Sequence, residues 1–140
     1  MGINGRLDTV QAAILLEKLA LFPEECRLRW TVGKRYDDLL SAVSGIQTPI
    51  IGEGNDSVYA QYTILAEDRD ALSQRLKVAG APSVAYYTVP LHLQGAFAKL
   101  GHGPGDFQTA EKVAVRCLSL SMSPYLCNTH QIRIAEAVRG

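Results

Sequence analysis

"RLDTVQAAILLEKL", residues Arg6 to Leu19, is the stretch from which the fold of this chain can be read. Asp8 followed three residues later by Gln11 is a capping-box-like start, and Leu7, Val10, Ile14 and Leu21 then recur at helical spacing. This predicts a first helix over Asp8 to Phe22. Pro23 stops or kinks it. Pro23, Glu24 and Glu25 read as the opening turn of a second helix, with proline where no N–H is needed and two acids at the positive end of the dipole. Along that helix Cys26, Trp30, Gly33, Asp37, Leu40 and Val43 follow one face, and Gly45 stands where a C-terminal glycine belongs. Asp37 makes that face less than purely core.

From Ile46 to Asp56 proline, glycine, asparagine and aspartate mark a loop. "SVYAQYTILAE", starting at Ser57, alternates Val58, Ala60, Tyr62 and Ile64 against Tyr59, Gln61, Thr63 and Leu65, the pattern of a strand. Asp68 to Ala79 sets Leu72, Leu76 and Ala79 on one helical face and closes at Gly80. "SVAYYTV", from Ser83, is a second β-rich run ended by Pro90. "LHLQGAFAKLGHGPGDF", from Leu91, reads as a short helix and a glycine-rich loop. Thr109 to Arg116 reads as helix, "CLSLSMS" from Cys117 as a third strand, and Thr129 to Val138 as a last helix. The order predicts a single α+β domain over residues 1–140: a small, largely antiparallel sheet of about three strands with helices packed on one side.

Composition narrows the function classes. Lys plus Arg and Asp plus Glu are 14 each, so the formal net charge is zero, and nothing points to nucleic acid or an anionic membrane. The longest apolar run, around Val10 to Leu16, is too short to span a bilayer, and Met1 to Thr9 offers no signal-peptide pattern. The chain reads as cytoplasmic. Cys26, Cys117 and Cys127 have no CxxC spacing, and the three histidines have no metal-ligand spacing, so neither a disulfide framework nor a metal site is expected.

Five segments in order, "NGRLDTVQAAILLEKL", "VYAQYTI", "YYTVPLHLQ", "GDFQTAEKVA" and "LSLSM", together resemble the C-terminal part of the DegT/DnrJ/EryC1/StrS family of sugar aminotransferases. The resemblance covers essentially the whole chain. It implies the small domain of a fold type I enzyme dependent on pyridoxal phosphate, with 8–22 as the linker helix and the large cofactor domain absent. The parent enzyme would move an amino group, from glutamate, onto a keto group of a nucleotide-linked sugar. This chain would close the active site and complete the dimer without being catalytic alone. Lys18, Lys34, Lys77, Lys99 and Lys112 match no cofactor-lysine segment and read as solvated lysines, so no catalytic residue is assigned.

The resemblance also implies roles for single residues. Asn4 would reach the cofactor phosphate of the neighbouring subunit, its amide N–H groups donating; read without the family, Asn4 and Gly5 form a turn. Arg6 would add charge there or pair with a carboxylate. His92 would face the nucleotide sugar, its imidazole donating to or accepting from hydroxyl or phosphate; it is otherwise a partly buried histidine among leucines. Tyr86 and Tyr87 end a strand leading into the same loop, where alternation would send one ring to the core and the other to solvent or cleft. Thr88, Gln108 and Ser121 stand where the family often has proline. Two other readings remain open: a free-standing, non-catalytic oligomerisation or interaction module, and a domain that binds a nucleotide sugar without turnover. Val10, Ala13, Ile14, Leu16 and Leu21 spread around the first helix, so a homo-oligomer through residues 7–22 is expected.

Overall fold

Asp8 starts the longest element of the fold. In the computed structural model, which describes residues 5–140, its carboxylate accepts from the Val10 N–H at 2.9 Å and caps helix α1, Thr9–Leu40. α1 runs through Pro23 without a break, where a stop or kink and a second helix were expected. Proline's φ suits a helix, and the partner it denies is the carbonyl of Leu19. Leu19 and Phe22 are exposed, so water can take that carbonyl.

The buried face of α1 is confined to its last third, at Val32, Gly33, Tyr36 and Leu40. Trp30, expected on that face, is half exposed, and Tyr36 takes the central place. The Tyr36 ring packs 4.8 Å from that of Tyr62, and its hydroxyl donates to the Ser121 carbonyl at 3.0 Å. Gly45, at φ 74, reverses the chain after α1, a backbone conformation that side chains disfavour.

Four antiparallel strands follow in the spatial order β1, β2, β4, β3: β1 is Ile46–Gln47, β2 Tyr62–Ala66, β3 Ser83–Val84 and β4 Cys117–Leu120. The three expected strand segments share this sheet. β1 is an addition, inside a stretch that reads as loop; two residues are too few to show alternation, and pairing with Leu65 and Ala66 defines it. Val58 to Gln61 alternate in sequence but precede β2, because Tyr59 turns there at φ 42. β3 ends at Val84, short of the tyrosines.

Tyr62 and Ile64 pair across the sheet with Leu120 and Leu118, and Ala66 with Ile46, to make one apolar face, as strand periodicity requires. Against it lie the end of α1, helix α2 (Arg69–Val78) through Leu72 and Leu76, and helix α4 (Asn128–Arg139) through Ile134, Ala135 and Val138. Each leucine, isoleucine or valine among them taken from water contributes about 1.5–3 kcal/mol. Gln131 of α4 is fully buried and fully employed: its Nε2 donates to the Val32 carbonyl at 2.6 Å and its Oε1 accepts from Arg35 at 3.0 Å. On the other face Thr63 and Ser119 join hydroxyls at 2.7 Å, and Cys117 meets Ala114 of helix α3 (Gln108–Arg116) and the Tyr87 carbonyl.

Candidate functional site

Pro90, held at φ −60, launches two 3₁₀ turns, Leu91–Leu93 and Gly95–Leu100, in a segment too rich in small and turn residues for a regular helix. The chain then passes through Gly101, Gly103 and Gly105 to the start of α3. With α3 and the first residue of β4, this segment lines an open cavity of about 600 Å³. Its wall is mostly apolar, with Leu91, Phe97, Phe107 and Val113 beside Tyr86, Tyr87, His92 and His102. Concave apolar sites with a few placed polar groups are where small molecules bind.

One carboxylate organises the mouth of this cavity. Glu111, in the first turn of α3, accepts from the Gly105 N–H at 2.9 and 3.0 Å and from the Phe107 N–H at 3.4 Å. A negative charge there also favours the helix N-terminus. The Gly105 N–H, foremost, holds the Glu111 carboxyl below its ordinary range, with His92 and Phe107 adding to the effect. His92 Nε2 lies 3.0 Å from Glu111 Oε1, the His92 side chain is 7% exposed, and its ring packs 4.8 Å from Phe107. Asp106 repeats the device on a smaller scale: it accepts from the Gly103 N–H at 3.0 Å, the chief cause of its lowered pKa, and sits 3.4 Å from His102 Nδ1.

Tyr86 and Tyr87 both border the cavity, their rings 5.7 Å apart and edge-on, with exposures of 42% and 72%. The core-and-cleft division expected of them does not arise, because strand alternation has ended at Val84. Arg6 is exposed ahead of α1, and Asn4 lies outside the described residues. The structure therefore brings His92, Tyr86 and Tyr87 together and leaves Arg6 apart from them, at the far end of α1.

Two polar residues matter more to this architecture than their sequence context announces. Glu111 follows no Ser or Thr cap, so its reach back to Gly105 and Phe107 has no motif to betray it. Asp37 accepts from Tyr62 at 2.6 Å and Tyr59 at 3.5 Å, and pairs with Lys34 at 3.3 Å. Burial first, then the Asp37 carboxylate, pushes the Tyr62 hydroxyl far above the usual phenol range.

Lys18, Lys34, Lys77, Lys99 and Lys112 are all exposed. Among the described residues no group of three or more His, Cys, Asp or Glu is placed to hold a metal ion, and the three cysteines are unbridged. No helix among them is long and apolar enough to cross a membrane. From Thr9 to Glu24 α1 is almost wholly exposed, with Val10, Ile14, Leu16, Leu19 and Phe22 bare to water.

Comparison with known proteins gives a consistent result. The chain is 45% identical over 134 residues to UDP-2-acetamido-2-deoxy-3-oxo-D-glucuronate aminotransferase of Pseudomonas aeruginosa, a match covering 96% of this chain and 36% of that protein. Among solved structures, a DegT DnrJ EryC1 StrS aminotransferase from Brucella abortus superposes with TM-score 0.90 at 43% identity, over 99% of this chain and 37% of that one. DesV from S. venezuelae, in complex with a ketimine intermediate, superposes with TM-score 0.94 at 33% identity, again over 99% and 37%. The chain thus spans little more than a third of the length of the relatives it matches. The model of the DegT/DnrJ/EryC1/StrS aminotransferase family matches residues 1–139, and the chain belongs to that family.

Proposed function

We propose that this chain serves as the C-terminal domain of a nucleotide-sugar aminotransferase, where it closes the sugar side of the active site and builds the dimer. The observation that carries the reading is the superposition of the whole chain on one third of DesV, whose structure holds a ketimine intermediate. The P. aeruginosa relative is named for a UDP-linked keto sugar acid, which supports a nucleotide sugar as the substrate class here. Glutamate is the proposed amino donor and the cytoplasm the proposed location.

In the parent enzyme pyridoxal phosphate supplies an electron sink for amino transfer. The described residues of this chain do not fit a Schiff-base site: every lysine is exposed, and Lys34 is already paired with Asp37. Asn4 and Arg6 are assigned to the phosphate of the partner subunit's cofactor, Arg6 as a guanidinium that stands in water and suits a phosphate fork. His92, Tyr86 and Tyr87 are assigned to the sugar, since they border one cavity and bring a ring nitrogen and two phenols to a mostly apolar wall.

The bare half of α1 supports the oligomeric part of the reading. Bare leucine, isoleucine and phenylalanine side chains over four turns form an apolar patch of the kind that marks interfaces. The test is a chimera in which this chain replaces the matching third of the P. aeruginosa relative. Amino transfer to the keto sugar is the expected result; a folded chimera that binds the cofactor but transfers nothing would overturn the reading.

A further inference from the structure

Three separate segments converge on the Glu111 side chain: the 3₁₀ turn that carries His92, the glycine loop through Gly105, and the start of α3 at Phe107. We propose that Glu111 is a positioning residue that keeps the His92 proton on Nε2, leaving Nδ1 as an acceptor for a sugar hydroxyl. The ligand half of this proposal rests on the assignment of His92 to the sugar made above.

An ionised carboxylate only accepts hydrogen bonds. Glu111 is kept ionised by the N–H groups of Gly105 and Phe107, so the ring nitrogen 3.0 Å from its Oε1 must present a hydrogen. In a neutral imidazole the other nitrogen then bears the lone pair. Nδ1 of His92 has no partner among the described residues. It is not sealed away either, because Arg69 Nη1 is the one sealed side-chain polar atom there without a partner. Asp106, a second carboxylate near the ring, is engaged with His102 and with the Gly103 N–H.

A lone pair on a ring that lines a mostly apolar cavity selects a ligand that brings a hydrogen. A sugar hydroxyl does. The diphosphate of a nucleotide sugar is fully ionised and would set lone pair against lone pair. The sugar, rather than the phosphate, is thus the part of the substrate that this histidine reads.

Nitrogen-15 NMR of the ring in the purified chain, at mildly alkaline pH, tests this directly. The expected result is a protonated Nε2 and a pyridine-like Nδ1 for His92. In Glu111→Leu no acceptor faces Nε2, so the proton is expected to divide between the two ring nitrogens, a change that a merely structural glutamate would not produce; Glu111→Gln, whose amide oxygen can still sit beside the Gly105 and Phe107 N–H groups and accept from Nε2, is expected to keep the wild-type tautomer. A wild-type ring protonated at Nδ1 overturns the proposal whether or not the variants fold, and so does a folded Glu111→Leu variant that keeps the wild-type tautomer. N-acetylglucosamine and dimethyl phosphate, added separately, divide the two halves. The sugar alone is expected to shift the Nδ1 resonance, and a response to the phosphate diester alone overturns the acceptor assignment. Silence to both, with the Nε2 proton in place, upholds the role of Glu111 and overturns the assignment of His92 to the sugar.

Discussion

The Tyr62 hydroxyl donates to Asp37 Oδ1 at 2.6 Å, tying the first residue of β2 to the last turn of α1 across the core. Tyr62→Phe keeps the packing and removes the bond. Asp37 retains Lys34 and some contact with water, so the loss is expected at the low end for a bond to a charged partner, about 1.5 kcal/mol in a denaturant titration.

The same cluster sets the response to alkali. Burial raises the Tyr36 hydroxyl, and burial together with Asp37 raises Tyr62, both well above the phenol value of 10.0. The unfolded chain then loses these protons first, so above pH ~10 stability falls as pH rises, while below it the contribution is fully present. Thermal melts across that range are expected to show this fall, and Tyr62→Phe to flatten it.

Gly33→Ala is expected to destabilise despite alanine's better helix propensity. A Cβ at this position would overlap the buried Tyr59 ring, whose backbone is fixed by Arg29 donating to the Tyr59 carbonyl at 2.9 Å. Overpacking of this kind costs about 1–3 kcal/mol, against about 1 kcal/mol gained in propensity. A variant that melts above the wild type would show that the ring slides aside.

Ile14→Glu tests the oligomer. Sedimentation at micromolar concentration is expected to give a dimer or larger species for the wild type and a monomer for the variant. A wild-type monomer, or an oligomer indifferent to the charge, would move the interface off α1.

Pyridoxal phosphate mixed with the chain and reduced with borohydride is expected to label its exposed lysines without preference. One stoichiometric adduct at a single lysine, found by peptide mapping, would mean that this chain carries a Schiff-base site of its own.

Sequence pattern carried the sheet and its helices because each rests on periodicity: Leu72 with Leu76, Ile64 between Tyr62 and Ala66, Asp8 as a cap. It failed at Pro23, where the residue type is a breaker and only exposure decides whether a helix survives it. It failed again at Tyr59, whose place in an alternating run hides a turn held by Gly33 and Arg29. At the site, His92, Tyr86 and Tyr87 were legible as residue types near one loop. Glu111 was not, because a carboxylate that binds backbone N–H groups leaves no spacing rule in the sequence.

Helix α1 is tied to the domain from Glu25, which accepts from the Tyr125 hydroxyl, to Leu40, and it extends bare beyond that, back to Thr9. At 1.5 Å per residue its unsupported length is roughly 24 Å, which makes it a lever whose fulcrum is Glu25. A rotation of about 10° at that fulcrum sweeps the tip through roughly 4 Å, on the same rise per residue. Whatever grips the far end therefore dictates the attitude of the whole sheet, and the small cavity beside His92 travels with it.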